Sequence, residues 1–384
     1  CASRFASCAE VENLIAIIPG NTNSPYLAIM AHYDSVPMAP GAGDDGAGVV
    51  AILEVARALK LEAPYKHPIM LILTDAEESG LIGAEAFFNQ HPLAKEVGIV
   101  LNIEGSGSSG SSMVLRTSNK NELLIKSYSS ENTSPYGFSF VKEIFKRMPN
   151  DTDFSVVNRA NISGIDFAFA GERNHYHTPN DTVDNIDLRT IQHHGENILP
   201  LSRKLASVDW NDMGDEYIYG GEIYGFWTQW KSSNSLFICI FSALLLITTL
   251  IKSKTSIKKT TLGVIFSPLI ITTTILSGVV GFYLLSFISG NVISWPGIDW
   301  PYRLLLIGST TIGALIGTAI TRRFVNQHEM VFGSWLFWLI LTFAITIFLP
   351  DAANTFILPL TFASILILLA TLIKEENRLI FLLL

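Results

Sequence analysis

Four stretches of this 384-residue chain place acidic side chains and histidine where short apolar runs stop: His32 with Asp34, Asp44 with Asp45 in a glycine-rich turn, Glu77 with Glu78, and Glu104. If these seven positions converge, several carboxylates share one cleft. Like charges in a desolvated cleft repel strongly enough to force protonation, and divalent cations remove that conflict. Histidine with carboxylate and no thiolate suits zinc in an open catalytic site, and two metals a few ångströms apart suit hydrolysis. Cysteine offers no competing chemistry. Cys1 and Cys8 lie in the N-terminal tail and Cys239 in an apolar run, so there is no C-x-x-C pattern and no legible disulfide framework.

The elements that must bring these residues together follow from the apolar periodicity. Runs rich in β-branched residues predict strands at 13–18, 26–31, 69–73, 98–103 and 165–169. They alternate with helical patterns at 47–59, 83–89, 121–130 and 188–205, the first with a stripe of Val49, Ile52, Leu53, Ala56 and Leu59. Such alternation specifies an α/β domain, a mixed and mostly parallel sheet sandwiched by helices. In sheets of this kind functional groups gather in the crevice beyond the carboxyl ends of the strands, which is where the seven residues fall.

Composition divides the chain. Hydrophobic residues make up 49% and charged residues 16%, against about 25% charged in an ordinary soluble domain. Residues 1–234 hold 17 basic and 29 acidic side chains, a net of −12, whereas 235–384 hold 9 and 5, a net of +4. The acidic balance, with no long basic run, leaves no phosphate-binding footprint, so nucleic acid is not an expected partner. Nothing in the sequence specifies an oligomeric state.

The second half contains five uncharged apolar runs, 236–251, 262–289, 304–320, 331–349 and 356–373, with 379–384 resembling the start of a sixth. Their lengths match the ~17–25 residues that cross a bilayer. Basic residues collect in alternate connections: Lys252, Lys254, Lys258 and Lys259, then Arg322 and Arg323, then Lys374 and Arg378. The intervening connections carry instead Asp299 with Trp295 and Trp300, and Asp351. By the positive-inside rule the first half lies outside the cytoplasm, in periplasm, exterior or organelle lumen. The runs lack ionisable groups, which argues for an anchor rather than a transport path, and Gly313 with Gly317 gives a spacing that permits close helix contact. The expected organisation is an α/β domain at 1–210 that carries the candidate metal ligands, an aromatic juxtamembrane connector at 211–234 (Tyr217, Tyr219, Tyr224, Phe226, Trp227 and Trp230), and a multi-pass transmembrane domain at 235–384.

The motifs AHYDSV (31–36), GAGDDGAG (41–48), DAEESG (75–80), NIEG (102–105) and YHTPNDT (176–182) resemble, in the same order, those of the two-zinc aminopeptidases of metallopeptidase family 28. The layout resembles that family's membrane-anchored branch, the endoplasmic reticulum metallopeptidases and vacuolar membrane proteases. The resemblance implies a phosphorylase/hydrolase-like zinc peptidase fold, two zinc ions, a peptide substrate cut at its N-terminal residue, and attachment to a lipid bilayer. It also implies a further N-terminal helix, so the chain is expected to be a fragment.

Carried over motif by motif, the resemblance makes His32, Asp44, Glu78, Glu104 and His177 the metal ligands, with Asp44 bridging. It is expected that His32 and Asp44 share one ion with Glu78, and that Asp44, Glu104 and His177 hold the other. The family often has Asp where this chain has Glu104. Asp34, two residues after His32, is placed to accept the other ring N–H and fix its tautomer. Glu77 is expected to point away from Glu78 along an extended chain and to act as general base for a water held between the metals as it attacks the scissile carbonyl. Each residue has a plainer alternative. His175 could be the ligand in place of His177; Asp45 could cap the helix that follows; Asp153 and Asp181 could be caps or site supports; His67, His91, His193, His194 and His328 read as structural. Two other functions stay open: a catalytically inactive receptor or scaffold on the same fold, and a single-zinc glutaminyl cyclase-like acyl transferase.

Overall fold

The computed structural model describes residues 8–22, 24–148, 151–223, 226–253, 255–290 and 300–372. Cys1, Tyr224, Lys254, Trp295, Asp299, Lys374, Arg378 and the apolar run 379–384, each singled out above, lie outside the described residues. The chain divides into two compact units, residues 1–232 and 233–384.

In chain order the first unit runs β1 (Leu14–Ile18), β2 (Tyr26–His32), α1 (Ala47–Glu62), β3 (Ile69–Thr74), α2 (Ile82–Gln90), β4 (Val97–Gly105) and β5 (Met113–Thr117). It continues with α3 (Glu122–Glu131), β6 (Gly137–Phe138), α4 (Ser139–Phe145), α5 (Phe154–Arg159), β7 (Ser163–Phe169), α6 (Leu188–Ser207), β8 (Tyr217–Ile223) and β9 (Phe226–Lys231). Among the described residues the strands form one nine-stranded sheet in the order β1-β3-β2-β4-β7-β5-β6-β8-β9. Its centre, β3-β2-β4-β7, is parallel, and β1 and β5 pair antiparallel on its two flanks.

Side-chain alternation along the central strands sorts the core into two layers. Leu27, Ile29, Ile69, Leu71, Ile99, Leu101 and Ile103 face α1, α3 and α6 through Ile52, Val55, Leu59, Leu124, Ile198 and Leu201. Ala28, Met30, Met70, Ile72 and Val100 face α2 and α5 through Phe87, Phe154 and Val157. His32, Thr74 and Glu104 continue this second set at the strand ends, which is why they emerge on one side of the sheet. The five expected strands and four expected helices of this half are all present, with ends shifted by a few residues.

Two expectations are corrected. On α1 the buried stripe is Ala47, Gly48, Ala51, Ile52, Val55 and Leu59, and Leu53 is 57% exposed; the layer beneath it is shared with α6, which rotates the contact face by about one residue. The stretch expected to be an aromatic connector contributes strands to the sheet. In it, β8 and β9 form a hairpin whose Tyr219 is buried and stacks on Trp227 at 5.6 Å between ring centroids. Alternating aromatics fit a half-buried strand as well as they fit a membrane interface.

Among the described residues the second unit contains α7 (Ser235–Ser253), α8 (Ile257–Ser289), α9 (Trp300–Thr321), α10 (Gln327–Phe348) and α11 (Ala353–Leu372), five helices long and apolar enough to cross a membrane. The helices extend past the apolar runs and take in Lys252, Lys258, Lys259, Arg303 and Glu329 near their ends. Gly313 and Gly317 face α8: a Cβ at Gly313 would lie 2.4 Å from the Thr273 carbonyl oxygen. Small residues let helix backbones approach where no apolar driving force separates helix from lipid.

Candidate metal centre

The site lies at the carboxyl ends of β2, β3, β4 and β7. His32 is the last residue of β2 and 1% exposed; Glu104 is the penultimate residue of β4 and 6% exposed. The Met30–Asn102 register of β2 and β4, continued by two residues on the same face, puts these side chains beside each other. Asp44 sits in the turn before α1, with its peptide bond to Asp45 cis. Two neighbours hold that turn. Asp181, fully buried, accepts hydrogen bonds from Gly43 N at 2.6 Å and Asp44 N at 3.2 Å. Gly43 packs so closely that a Cβ there would fall 2.0 Å from the Gly107 carbonyl oxygen.

The donor atoms form two triads that share Asp44. In one, His32 Nε2 lies 3.2 Å from Asp44 Oδ1 and 3.5 Å from Glu104 Oε2. In the other, His177 Nε2 lies 3.0 Å from both Asp44 Oδ2 and Glu78 Oε1. The expected grouping is therefore corrected: Glu104 belongs with His32, because it is still within β4, in register with His32 on the same face, and Glu78, carried past the end of β3 by a turn, belongs with His177. His175 is not in either triad; its Nδ1 lies 2.7 Å from Ser108 Oγ.

Whether this donor set fits metal ions can be tested on its spacing. Ligand atoms bound at ~2.0–2.1 Å around a tetrahedral zinc are about 3.3–3.4 Å apart, close to the 3.0–3.5 Å found here. In the second triad Asp44 Oδ2, Glu78 Oε1 and His177 Nε2 are buried, converge, and have no hydrogen-bond partner among the described residues. Buried polar atoms without partners are costly, and a cation between them would satisfy all three.

The electrostatics point the same way. Burial, then repulsion from Asp44, pushes Glu78 up to about 7, and burial pushes Glu104 to about 7. Burial, then the charge of Glu104, pushes Glu77 up to about 10. Burial opposes the charged form of His32, yet Glu104, Asp34 and Asp44 hold its pKa well above the ordinary imidazole value. The cleft holds more negative charge than two imidazoles offset.

Around the triads, Asp34 links two pieces of the site. Its carbonyl oxygen is 3.0 Å from His32 Nδ1, its carboxylate Oδ1 is 3.5 Å from the same nitrogen, and the carboxylate accepts from Glu77 N at 2.9 Å and Glu78 N at 3.2 Å. The ring contact expected of the Asp34 carboxylate is thus made more closely by its carbonyl. Glu77 and Glu78 lie in a tight turn rather than on extended chain; Gly80 N and Leu81 N both donate to the Glu77 carbonyl, so strand alternation is not what separates the two side chains. Asp45 Oδ1 accepts from Gly48 N at 3.0 Å and caps α1. Asp153 does not cap α5: its Oδ2 is 2.5 Å from Thr74 Oγ1. Tyr176 stacks on His177 at 3.7 Å, a contact that the adjacency of the two residues signals only once their turn is known.

The fold and the paired triads define the first unit as an α/β domain with a candidate metal centre at the carboxyl ends of its parallel strands. Residues 13–202 match Peptidase family M28, and that segment belongs to the family. The chain is 33% identical over 221 residues to endoplasmic reticulum metallopeptidase 1 of Rattus norvegicus, covering 56% of this chain and 24% of that protein. It is 29% identical over 363 residues to the vacuolar membrane protease of Candida dubliniensis, covering 89% of this chain and 38% of that one. The chain thus spans about a quarter to two-fifths of the length of these curated relatives. Among solved structures, a zinc aminopeptidase from Bacillus subtilis matches at 23% identity and TM-score 0.41, over 53% of this chain and 52% of that one. A Porphyromonas gingivalis glutaminyl cyclase matches at 18% identity and TM-score 0.40, over 51% and 78%.

Proposed function

We propose that this chain is a membrane-anchored two-zinc metallopeptidase that removes N-terminal residues from peptides on the non-cytoplasmic side. The observation that carries the reading is Asp44, which presents one carboxylate oxygen to each triad. A carboxylate used in this way supports two ions rather than one, and so favours the peptidase over the single-zinc transferase. His32 and Glu104 would complete one site, and Glu78 and His177 the other. When bound, zinc would polarise the scissile carbonyl and lower the pKa of water, as Lewis-acid metals do.

The chain's own residues supply the rest. Glu77, next to a ligand and held protonated by burial and the charge of Glu104, would ionise once cations offset that charge; it then takes the proton of the attacking water as the C–O bond forms and returns it to the leaving nitrogen as the C–N bond breaks. Asp34 fixes both the His32 ring and the Glu77–Glu78 turn. Asp181 holds the loop that presents Asp44. The basic connections between the apolar helices support placing the peptidase unit outside the cytoplasm.

The deciding experiment uses the purified full chain with zinc restored and a panel of aminoacyl amides and short peptides. Wild type is expected to hydrolyse members of the panel, and Glu77→Gln to keep its zinc while losing hydrolysis. An inert wild type would favour the scaffold; one zinc per chain with cyclisation of N-terminal glutamine would favour the transferase.

A further inference from the structure

On the sheet face that ends in His32, Thr74 and Glu104, one row of side chains departs from the apolar pattern. Asn102 on β4, Asp166 on β7 and Arg116 on β5 stand opposite one another across three strands. Asp166 is fully buried. Asn102 Nδ2 donates to its Oδ1 at 2.9 Å, and Arg116 Nε and Thr152 Oγ1 each approach its Oδ2 at 2.9 Å. Arg116 Nη2 donates to Thr152 Oγ1 at 2.7 Å, and the guanidinium lies over the rings of Phe145 and Phe154 at 4.3 and 5.4 Å. Around the row the face is Met30, Met70, Ile72, Val100, Phe154 and Val157.

A buried ion pair on an apolar face is weak evidence for stability, because desolvating both charges offsets their attraction, and well-packed apolar replacements are often neutral or stabilising. What this row supplies is a fixed place for Thr152. The next residue, Asp153, reaches Thr74 at the end of β3 through Oδ2, while its Oδ1 is buried without a hydrogen-bond partner among the described residues. Thr74 leads directly into the turn that carries Glu77 and Glu78. Asn102 also lies two residues before Glu104 on the same strand face. The row therefore lies two residues behind Glu104 on β4 and is joined through Asp153 and Thr74 to the segment that leads into the Glu77–Glu78 turn.

We propose that the Asn102–Asp166–Arg116–Thr152 cluster is a positioning element for the general-base turn: it sets Asp153 against Thr74, and thereby sets the Glu77 carboxyl relative to the paired triads. The inference rests on the assignment of Glu77 as base. None of the four residues touches substrate; they act through Asp153.

The test is made on the zinc-loaded full chain. Thr152→Val keeps the side-chain shape and removes the bridging hydroxyl. A misplacement of about 1 Å at the reacting groups costs on the order of 100-fold, so kcat is expected to fall at least about 10-fold with KM within about twofold and zinc content unchanged. Thr152→Ser, which restores the hydroxyl, is expected to restore kcat. The paired replacement Arg116→Met with Asp166→Leu strips the shared acceptor from Asn102 and Thr152 and is expected to lower Tm while leaving a folded, zinc-loaded protein with the same loss of kcat. A folded, zinc-loaded Thr152→Val protein that turns over at the wild-type rate overturns the proposal. So does loss of folding in both Thr152→Val and the paired variant, because the cluster would then be structural. Failure of the Glu77 assignment is read separately, as an inert wild type or an active Glu77→Gln.

Discussion

Replacing Asp181 by Asn perturbs the centre without touching a ligand. The Asp181 carboxylate accepts from Gly43 N at 2.6 Å and from Asp44 N at 3.2 Å in a fully buried setting. Hydrogen bonds to a charged group are worth about 1.5–3 kcal/mol each. Asparagine keeps one acceptor and turns an NH2 group toward the other backbone N–H, so one bond is lost and a buried donor is left unsatisfied, at a cost of about 2–3 kcal/mol. The loop that loses it presents Asp44, and groups that support a ligand typically change metal affinity by about 10–100-fold, or about 1.4–2.8 kcal/mol at 1.4 kcal/mol per tenfold. The two figures agree, so the loss should appear chiefly in zinc binding. Titrating metal-free Asp181→Asn with zinc against a chromophoric chelator should show both affinities reduced by about 10–100-fold, because Asp44 belongs to both triads. A folded variant with affinities within about twofold of wild type, or with only one site weakened, would show that Asp181 does not hold Asp44 in place for both triads.

Three further outcomes are expected. Glu78 and Glu104 are held up to about 7, chiefly by burial, and His32 and His177 are also raised. Their protons must leave before metal binds, so zinc affinity should weaken as pH falls through 7. Calorimetry in buffers of different ionisation enthalpy should register proton release near neutrality, and a pH-independent affinity between 5 and 8 would contradict this. Tyr219→Ala empties a buried position packed against Trp227 and should cost about 3–5 kcal/mol in denaturant unfolding of the peptidase unit; a loss below about 1 kcal/mol would make the hairpin an appendage. Gly313→Leu drives a side chain into the Thr273 carbonyl and should lower thermal stability in detergent by about 1–3 kcal/mol, whereas an unchanged melting profile would mean that the α8–α9 contact is not close-packed.

Much of the site is legible in the sequence because its ligands follow strands whose apolar runs are unmistakable. His32 and Glu104 end β2 and β4, and Glu78 follows β3, so a parallel sheet alone predicts that they meet. The pairing of ligands is not legible, since β2 lies between β3 and β4 and strand order alone leaves both acids open: Glu104 lies within β4, in register beside His32, whereas Glu78 lies beyond the end of β3 in a turn whose course no local pattern fixes. The hairpin of β8 and β9 is misread for a different reason. Tyr217, Tyr219, Trp227 and Trp230 precede an apolar helix, and aromatic residues suit both a sheet edge and a membrane interface. Arg116 and Asp166 carry no local signal, because an ion pair 50 positions apart becomes visible only when β5 and β7 align.

Counting the zinc ions bound to the purified full chain and to two ligand variants decides whether Asp44 joins two metal sites. Two zinc ions per wild-type chain are expected, with one in His32→Ala, retained by Asp44, Glu78 and His177, and one in His177→Ala, retained by Asp44, His32 and Glu104. A single ion in wild type, or a variant that loses neither ion, would contradict that role of Asp44.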